Sequence, residues 1–213
     1  ALFRSIGIVL FCIFLTIFYW MAMLNKVSAS LEEAEYNRFL MTEKVYELMK
    51  TSSNLTRFAR SYVITGNLEY KENYYKILDI RNGIVPKPIG NQLVYWDLTS
   101  KYRPKSNLVT KQALREEMER LPISKDELQQ LDEAESRSNS LARLEIQAFN
   151  TMEGIYKGKD GEYTVKGEPN QDMAIKLLYS QTYYDAKEQI MLPIYDFINS
   201  LEIRTTNSIN AYK

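Results

Sequence analysis

Arg57 and Arg60 stand three residues apart in the segment Leu55-Thr56-Arg57-Phe58-Ala59-Arg60-Ser61-Tyr62, so on a helix they share one face. Two guanidinium forks so placed match a carboxylate or another oxyanion, which makes them candidates for holding a ligand. Solvated charge or an intramolecular ion pair is the structural alternative. Ala59 and Tyr62 fall on the apolar side, which puts Arg60 beside the core and Arg57 nearer the surface. Glu145 is the second candidate, because it stands in register with Leu141, Ala148 and Met152 on an apolar face. A buried carboxylate there needs a partner. Arg57, Arg60 and Arg143 are the cations available, and a register-fixing ion pair competes with ligand binding as its role. A third group is Asp79 and Arg81 beside Tyr74 and Tyr75, expected to form a polar aromatic pocket covered by Tyr95 and Trp96, with ordinary packing as the alternative. Sixteen tyrosines suit such pockets, since each ring carries an apolar body and a polar tip.

Other chemistries are ruled out by what is missing. The 213 residues contain no histidine, which excludes histidine-based zinc sites, histidine triads and imidazole acid–base catalysis within this chain. No glycine-rich phosphate loop is present. Acidic neighbours such as Glu116-Glu117 and Asp132-Glu133 read as solvated helix faces. No enzymatic activity, cofactor or metal is therefore expected of this chain. With 27 basic and 27 acidic residues the net charge is zero, so nothing points to nucleic acid. The single cysteine, Cys12, lies in an apolar run, so the rest of the chain cannot be stapled by disulfides.

That run, Ser5 to Leu24, is uncharged and about 20 residues long, the length of a membrane-crossing helix. Arg4 and Lys26 flank it, and Tyr19 and Trp20 sit where an interfacial aromatic belt belongs. A cleaved signal peptide ending near Val27-Ser28-Ala29 is the rival, but signal h-regions are shorter, about 7–15 residues. From Val27 to Tyr62 an apolar seam follows heptad spacing through Val27, Leu31, Ala34, Met41, Val45, Leu48, Leu55, Ala59 and Tyr62, with Arg38 and Ser52 at the remaining seam positions. One long helix continuing the membrane helix accounts for it. The seam fits an intramolecular core and a dimer axis equally well.

Helix is expected again from Glu69 to Arg81, stopped by Asn82-Gly83. Residues 84–107, with Pro86, Pro88, Gly90 and Pro104, form an irregular excursion. A short helix from Leu108 to Leu121 follows. Ser124 and Glu127 then make a capping box for a helix ending near Gly154. Residues 154–169 alternate around Asp160-Gly161, a hairpin signal. After Asn170 a single final helix runs on through Tyr184, Ile190, Ile194 and Leu201, kinked at Pro193.

The stretch Arg57-Phe58-Ala59-Arg60-Ser61-Tyr62-Val63-Ile64-Thr65-Gly66-Asn67, followed by Tyr70, resembles the end of the first helix in bacterial extracytoplasmic four-helix sensor modules of the four-helix chemoreceptor and CHASE3-like kind. Ile80-Arg81-Asn82-Gly83, Tyr95-Trp96-Asp97 and Glu188-Gln189-Ile190-Met191-Leu192-Pro193-Ile194 resemble an extended, kinase-associated version of that module. The excursion and the hairpin depart from the shorter modules. The resemblance implies a dimeric periplasmic sensor, found in histidine kinases, diguanylate cyclases and chemoreceptors, in which a small molecule or a periplasmic protein biases the final helix.

Together these readings give an all-α chain: a membrane helix in residues 1–25 and a periplasmic helical-bundle sensor domain in residues 26–213. The expected form is an elongated up-down four-helix bundle with an irregular excursion and a small β-hairpin appendage. An even number of antiparallel elements returns the C-terminus to the bacterial inner membrane, so a second span is expected after Lys213. The alternative is a single-span scaffold protein of an envelope complex.

Overall fold

A computed structural model describes residues 2–88, 92–98, 101–103 and 112–211. The chain is mostly helical, with one small two-stranded antiparallel sheet. It divides into two compact units, one combining the residues up to Leu40 with those from Leu201 onward, the other spanning Met41–Ser200.

Helix α1 (Leu2–Thr65) contributes to both units. Proline is absent from it and Gly7 is its only glycine, so nothing interrupts the hydrogen-bond ladder until Gly66. There the backbone turns left-handed, with φ +68°, a conformation glycine adopts without steric cost. In the first unit the apolar run is long and apolar enough to cross a membrane. Its large side chains are exposed, with Phe14, Tyr19 and Leu24 all above 60%. Val27, Leu31, Ala34, Asn37 and Leu40 are half-buried along one face. The seam therefore passes through Asn37, and Arg38, expected on it, is exposed. Leu201, Thr205 and Ile209, spaced four apart, form a buried stripe in the same unit.

In the second unit the seam of α1 becomes core: Met41, Val45, Leu55, Ala59 and Tyr62 are all under 5% exposed. Asn67 caps α2 (Leu68–Arg81) by accepting from the Glu69 amide at 3.0 Å. That helix stops at Asn82-Gly83 as expected, with Gly83 at φ +69°. Parts of the 84–107 excursion (89–91, 99–100, 104–107) lie outside the described residues. A short helix, α3 (Gln92–Tyr95), forms within it.

Helix α4 (Leu114–Glu119) is shorter than the expected Leu108–Leu121, of which 108–111 lie outside the described residues. Ala113 is extended, with ψ 139°. The chain passes here over Gly83, where a Cβ would meet the Ala113 amide nitrogen at 2.6 Å. Helix α5 (Lys125–Met152) starts at the expected capping box, with Ser124 and Glu127 bonding reciprocally. Strands β1 (Ile155–Lys157) and β2 (Tyr163–Lys166) pair as the expected hairpin, with a bulge at Tyr156/Lys157. Its base is tied to the end of α5, since the Gly167 amide bonds Gly154 O and the Asn170 amide bonds Thr151 O.

The final helix is two helices, not one. Helix α6 (Gln171–Leu178) ends at Tyr179, and α7 (Gln181–Ala211) restarts after Ser180, whose hydroxyl accepts from the Tyr183 amide at 3.1 Å. A serine with its side chain on a free amide three residues on opens a new helix. The break changes the helical phase, so Tyr183 is fully buried while Tyr184, expected on the apolar face, is 45% exposed. Helix α7 then continues through Pro193.

Candidate functional site

Three helices of the second unit converge on one carboxylate. Glu145 of α5 is 2% exposed. Its Oε2 accepts from the Tyr74 hydroxyl of α2 at 2.6 Å, and its Oε1 accepts from the Tyr183 hydroxyl of α7 at 2.5 Å. The expectation that Glu145 is buried and partnered holds, but the partners are tyrosines and not Arg57, Arg60 or Arg143. Arg143 bonds Ser140 on its own helix instead. Burial pushes the Glu145 carboxyl above the usual range, against the two tyrosine bonds and the charges of Lys187 and Arg60, which favour the ionised form. Burial beside that carboxylate in turn pushes both tyrosine hydroxyls upward.

Two cations border this centre, and among the described residues neither has a carboxylate within ion-pair distance. Lys187 of α7 donates to Thr56 Oγ1 at 2.9 Å, and burial lowers its ammonium pKa. The Arg60 guanidinium lies 4.6 Å from the ring centres of Tyr179 and Tyr184 and 4.9 Å from that of Tyr183. Such placement over aromatic faces is attractive in itself. Its Nε donates to the Leu178 carbonyl at 3.1 Å, while its Nη2 is buried without a partner.

The structure separates some of the other expected site residues and keeps others together. Arg57 is exposed, as its side of the helix required, and pairs with Asp97 at 3.0 Å while donating to Asn54 and to the Trp96 carbonyl. Arg57 and Arg60 thus turn to different partners and do not close on a common space. Tyr95 and Trp96 are buried and stack edge-on, with Trp96 also against Phe58 and the Arg103 guanidinium over both rings. They pack against α1, where Arg57 holds the Trp96 carbonyl, and Trp96 also lines a small cavity with Ile77, Ile80 and Arg81 of α2. The Asp79 carbonyl closes the turn after α2 by accepting from Ile84 and Val85. Arg81 reaches across to α5, where it bonds Ser138 and Asn139. Of the expected single pocket, Arg81 and Trp96 border one cavity, with Tyr95 stacked on Trp96, while Tyr74 is bonded to Glu145 and the Asp79 carbonyl closes a turn.

Arginines occupy main-chain carbonyls at two interruptions of the helices, and Gln171 does the same at the end of α1. Helix ends leave carbonyls without intrahelical donors, and Arg60 takes the one at Leu178, where α6 stops. Pro193 has no N–H for the Gln189 carbonyl four residues before it. Arg137 of α5 supplies the missing donor at 2.6 Å, adds a bond to the Gln189 side chain at 2.9 Å and is itself held by Glu133. Sequence reasoning missed Tyr183, Lys187, Thr56 and Arg137. The signal for Arg137 was readable in principle, since a proline inside a helix announces one orphaned carbonyl.

Among the described residues no group of acids or cysteine gathers as a metal site. Compared with known protein families, curated proteins and solved structures, the chain matches none.

Proposed function

We propose that this chain is the extracytoplasmic sensor module of a bacterial transmembrane receptor, of the sensor-histidine-kinase kind. In this reading the apolar run anchors it in the inner membrane, the helical-bundle remainder lies in the periplasm, and a second span follows Lys213. It carries no catalysis itself and acts as a homodimer. The observation that carries the reading is that α1 runs unbroken from the exposed apolar run to Arg60, beside the polar centre at Glu145. A ligand or periplasmic partner that shifts α2, α5 or α7 at that carboxylate displaces α1 with it. Helix displacements of about 1–2 Å are an established means of transmission.

The internal seam is half-buried up to Leu40 and largely buried from Met41 onward within this chain, which leaves it unsuited to a dimer axis. On the opposite face of α1, Tyr36, Phe39 and Tyr46 are 61%, 63% and 52% exposed, with Glu43 among them. Spacings of three and four residues make a second stripe. Two copies anchored by the same membrane helix present it to each other in parallel, so the occupant of this face is a second copy of the chain.

Disulfide cross-linking in native membranes tests this. In a Cys12→Ser background, Phe39→Cys should give a covalent dimer under mild oxidation and Ala34→Cys, on the internal seam, should not. A Phe39→Cys chain that stays monomeric, or equal cross-linking at both positions, would overturn the dimeric-receptor reading.

A further inference from the structure

A cavity of about 40 Å³ lies within the second unit, walled by α1, α2, α4, α5 and α7. Its floor is apolar, with Met118, Leu131, Ile190 and Ile194, and two guanidinium groups, Arg81 and Arg115, border it. Arg115 has an unpartnered nitrogen, and Arg81 has hydrogen-bond partners but no close counter-charge. Arg115 is pinned by Glu119 at 3.1 Å through Nε and by Asp132 at 2.5 Å through Nη2, which leaves its Nη1 buried without a partner. Among the described residues Arg81 bonds the neutral Asn82, Ser138 and Asn139. No carboxylate lies within ion-pair distance of it among the described residues, although Glu135 on the same wall attracts it from farther off. Arg81 is half-buried, and burial lowers its pKa against the pull of Glu135, Tyr74 and Glu145.

A guanidinium can only donate hydrogen bonds, so whatever completes these two must present acceptors. A half-buried cation without a close counter-charge favours an anion. Since one water needs about 10–15 Å³, the cavity holds only a few heavy atoms, and its floor asks for a hydrocarbon end. We propose that this cavity binds a short aliphatic monocarboxylate of two or three carbons, its carboxylate on Arg81 and Arg115 Nη1 and its alkyl end against Leu131, Ile190 and Ile194. Ile190 and Ile194 flank Pro193, so occupancy bears on the turn whose Gln189 carbonyl Arg137 satisfies. The inference deepens the sensor reading and rests on it for the consequence of binding, not for binding itself.

Isothermal titration of the full chain in nanodiscs with sodium propionate tests the site, with uncharged propionamide and inorganic phosphate as comparisons. Saturable propionate binding is expected, with propionamide and phosphate each weaker by about tenfold or more, the cost of losing charge-assisted bonds or of failing to fit. Arg81→Gln and Arg115→Gln should each weaken propionate by a similar factor, and Ala134→Leu, which fills the space, should abolish it. Should Arg81→Gln fail to fold, Arg115→Gln and Ala134→Leu still decide. No saturable signal up to about 10 mM, a weak limit for so few atoms, would overturn the proposal. So would propionamide or phosphate binding as well as propionate, or unchanged propionate binding in Arg115→Gln or Ala134→Leu. A chain that cross-links through Phe39 but fails here loses only this ligand class, and one that binds but never cross-links loses only the dimeric receptor.

Discussion

At the scale of residues, Glu145 is the point on which the second unit turns, because one buried carboxylate satisfies hydroxyls from two other helices. Glu145→Ala leaves both hydroxyls buried without an acceptor and should lower stability by about 3 kcal/mol, read from thermal unfolding. Glu145→Gln keeps the shape and one acceptor, so its cost should be nearer about 1 kcal/mol. The raised carboxyl gives a pH signature. Unfolded, the group titrates near the ordinary 4.5. Between that value and the higher folded one, the native state holds a proton that the unfolded state has released. Its contribution to stability is therefore fullest below the unfolded value and is lost as pH rises through the folded one. Glu145→Gln should remove that decline, and an unfolding profile whose slope survives in the variant would contradict the assignment. The burial of Glu145 was legible from its register with Leu141 and Ala148. Its partners were not, because Tyr74 and Tyr183 lie 71 and 38 residues away and an arginine looked the better electrostatic match.

At the scale of elements, interruptions of the helices are repaired from neighbouring helices, which links each break to the packing around it. Arg137→Ala should cost about 1 kcal/mol, discounted because the arginine is part-exposed. In a Pro193→Ala background that cost should shrink, since an alanine amide can bond the Gln189 carbonyl itself. A double-mutant cycle measures the difference, and strict additivity would show that Arg137 does not serve the proline's carbonyl. Gly154→Ala should destabilise by about 2 kcal/mol or more, because φ is +69° and the new Cβ would lie 2.3 Å from the Gly167 carbonyl. Unfolding of the variant checks it, and a neutral effect would mean that the hairpin is free to move off α5. The capping box at Ser124, the stops at Gly66 and Gly83 and the Asp160-Gly161 hairpin were legible because each is local chemistry. The break at Tyr179-Ser180 was not, since apolar residues continue across it at nearly helical spacing and a lone serine inside a helix looks the same. That one miss moved the inward tyrosine from 183 to 184. Helix α4 was overextended for a related reason: the extended passage at Ala113 is imposed by Gly83, 30 residues earlier.

At the scale of the whole molecule, the sensor reading depends on whether events at Glu145 reach α1 and, through it, the partner copy. Length and apolarity made the N-terminal run legible, and heptad spacing made α1 legible as one helix. The exposed stripe of Tyr36, Phe39 and Tyr46 was hidden behind the stronger internal seam, because a sequence pattern ranks hydrophobic faces without saying which of them the chain covers itself. The direct measurement is the distance between spin labels at Phe39→Cys of two copies, in a Cys12→Ser background in nanodiscs, with and without Tyr183→Phe. That change removes one hydroxyl from the Glu145 centre and leaves the ring. The account predicts a dimer whose inter-label distance shifts by about 1–2 Å when the hydroxyl is lost. An identical distance distribution in the folded variant, or no dimeric signal in either protein, would contradict it.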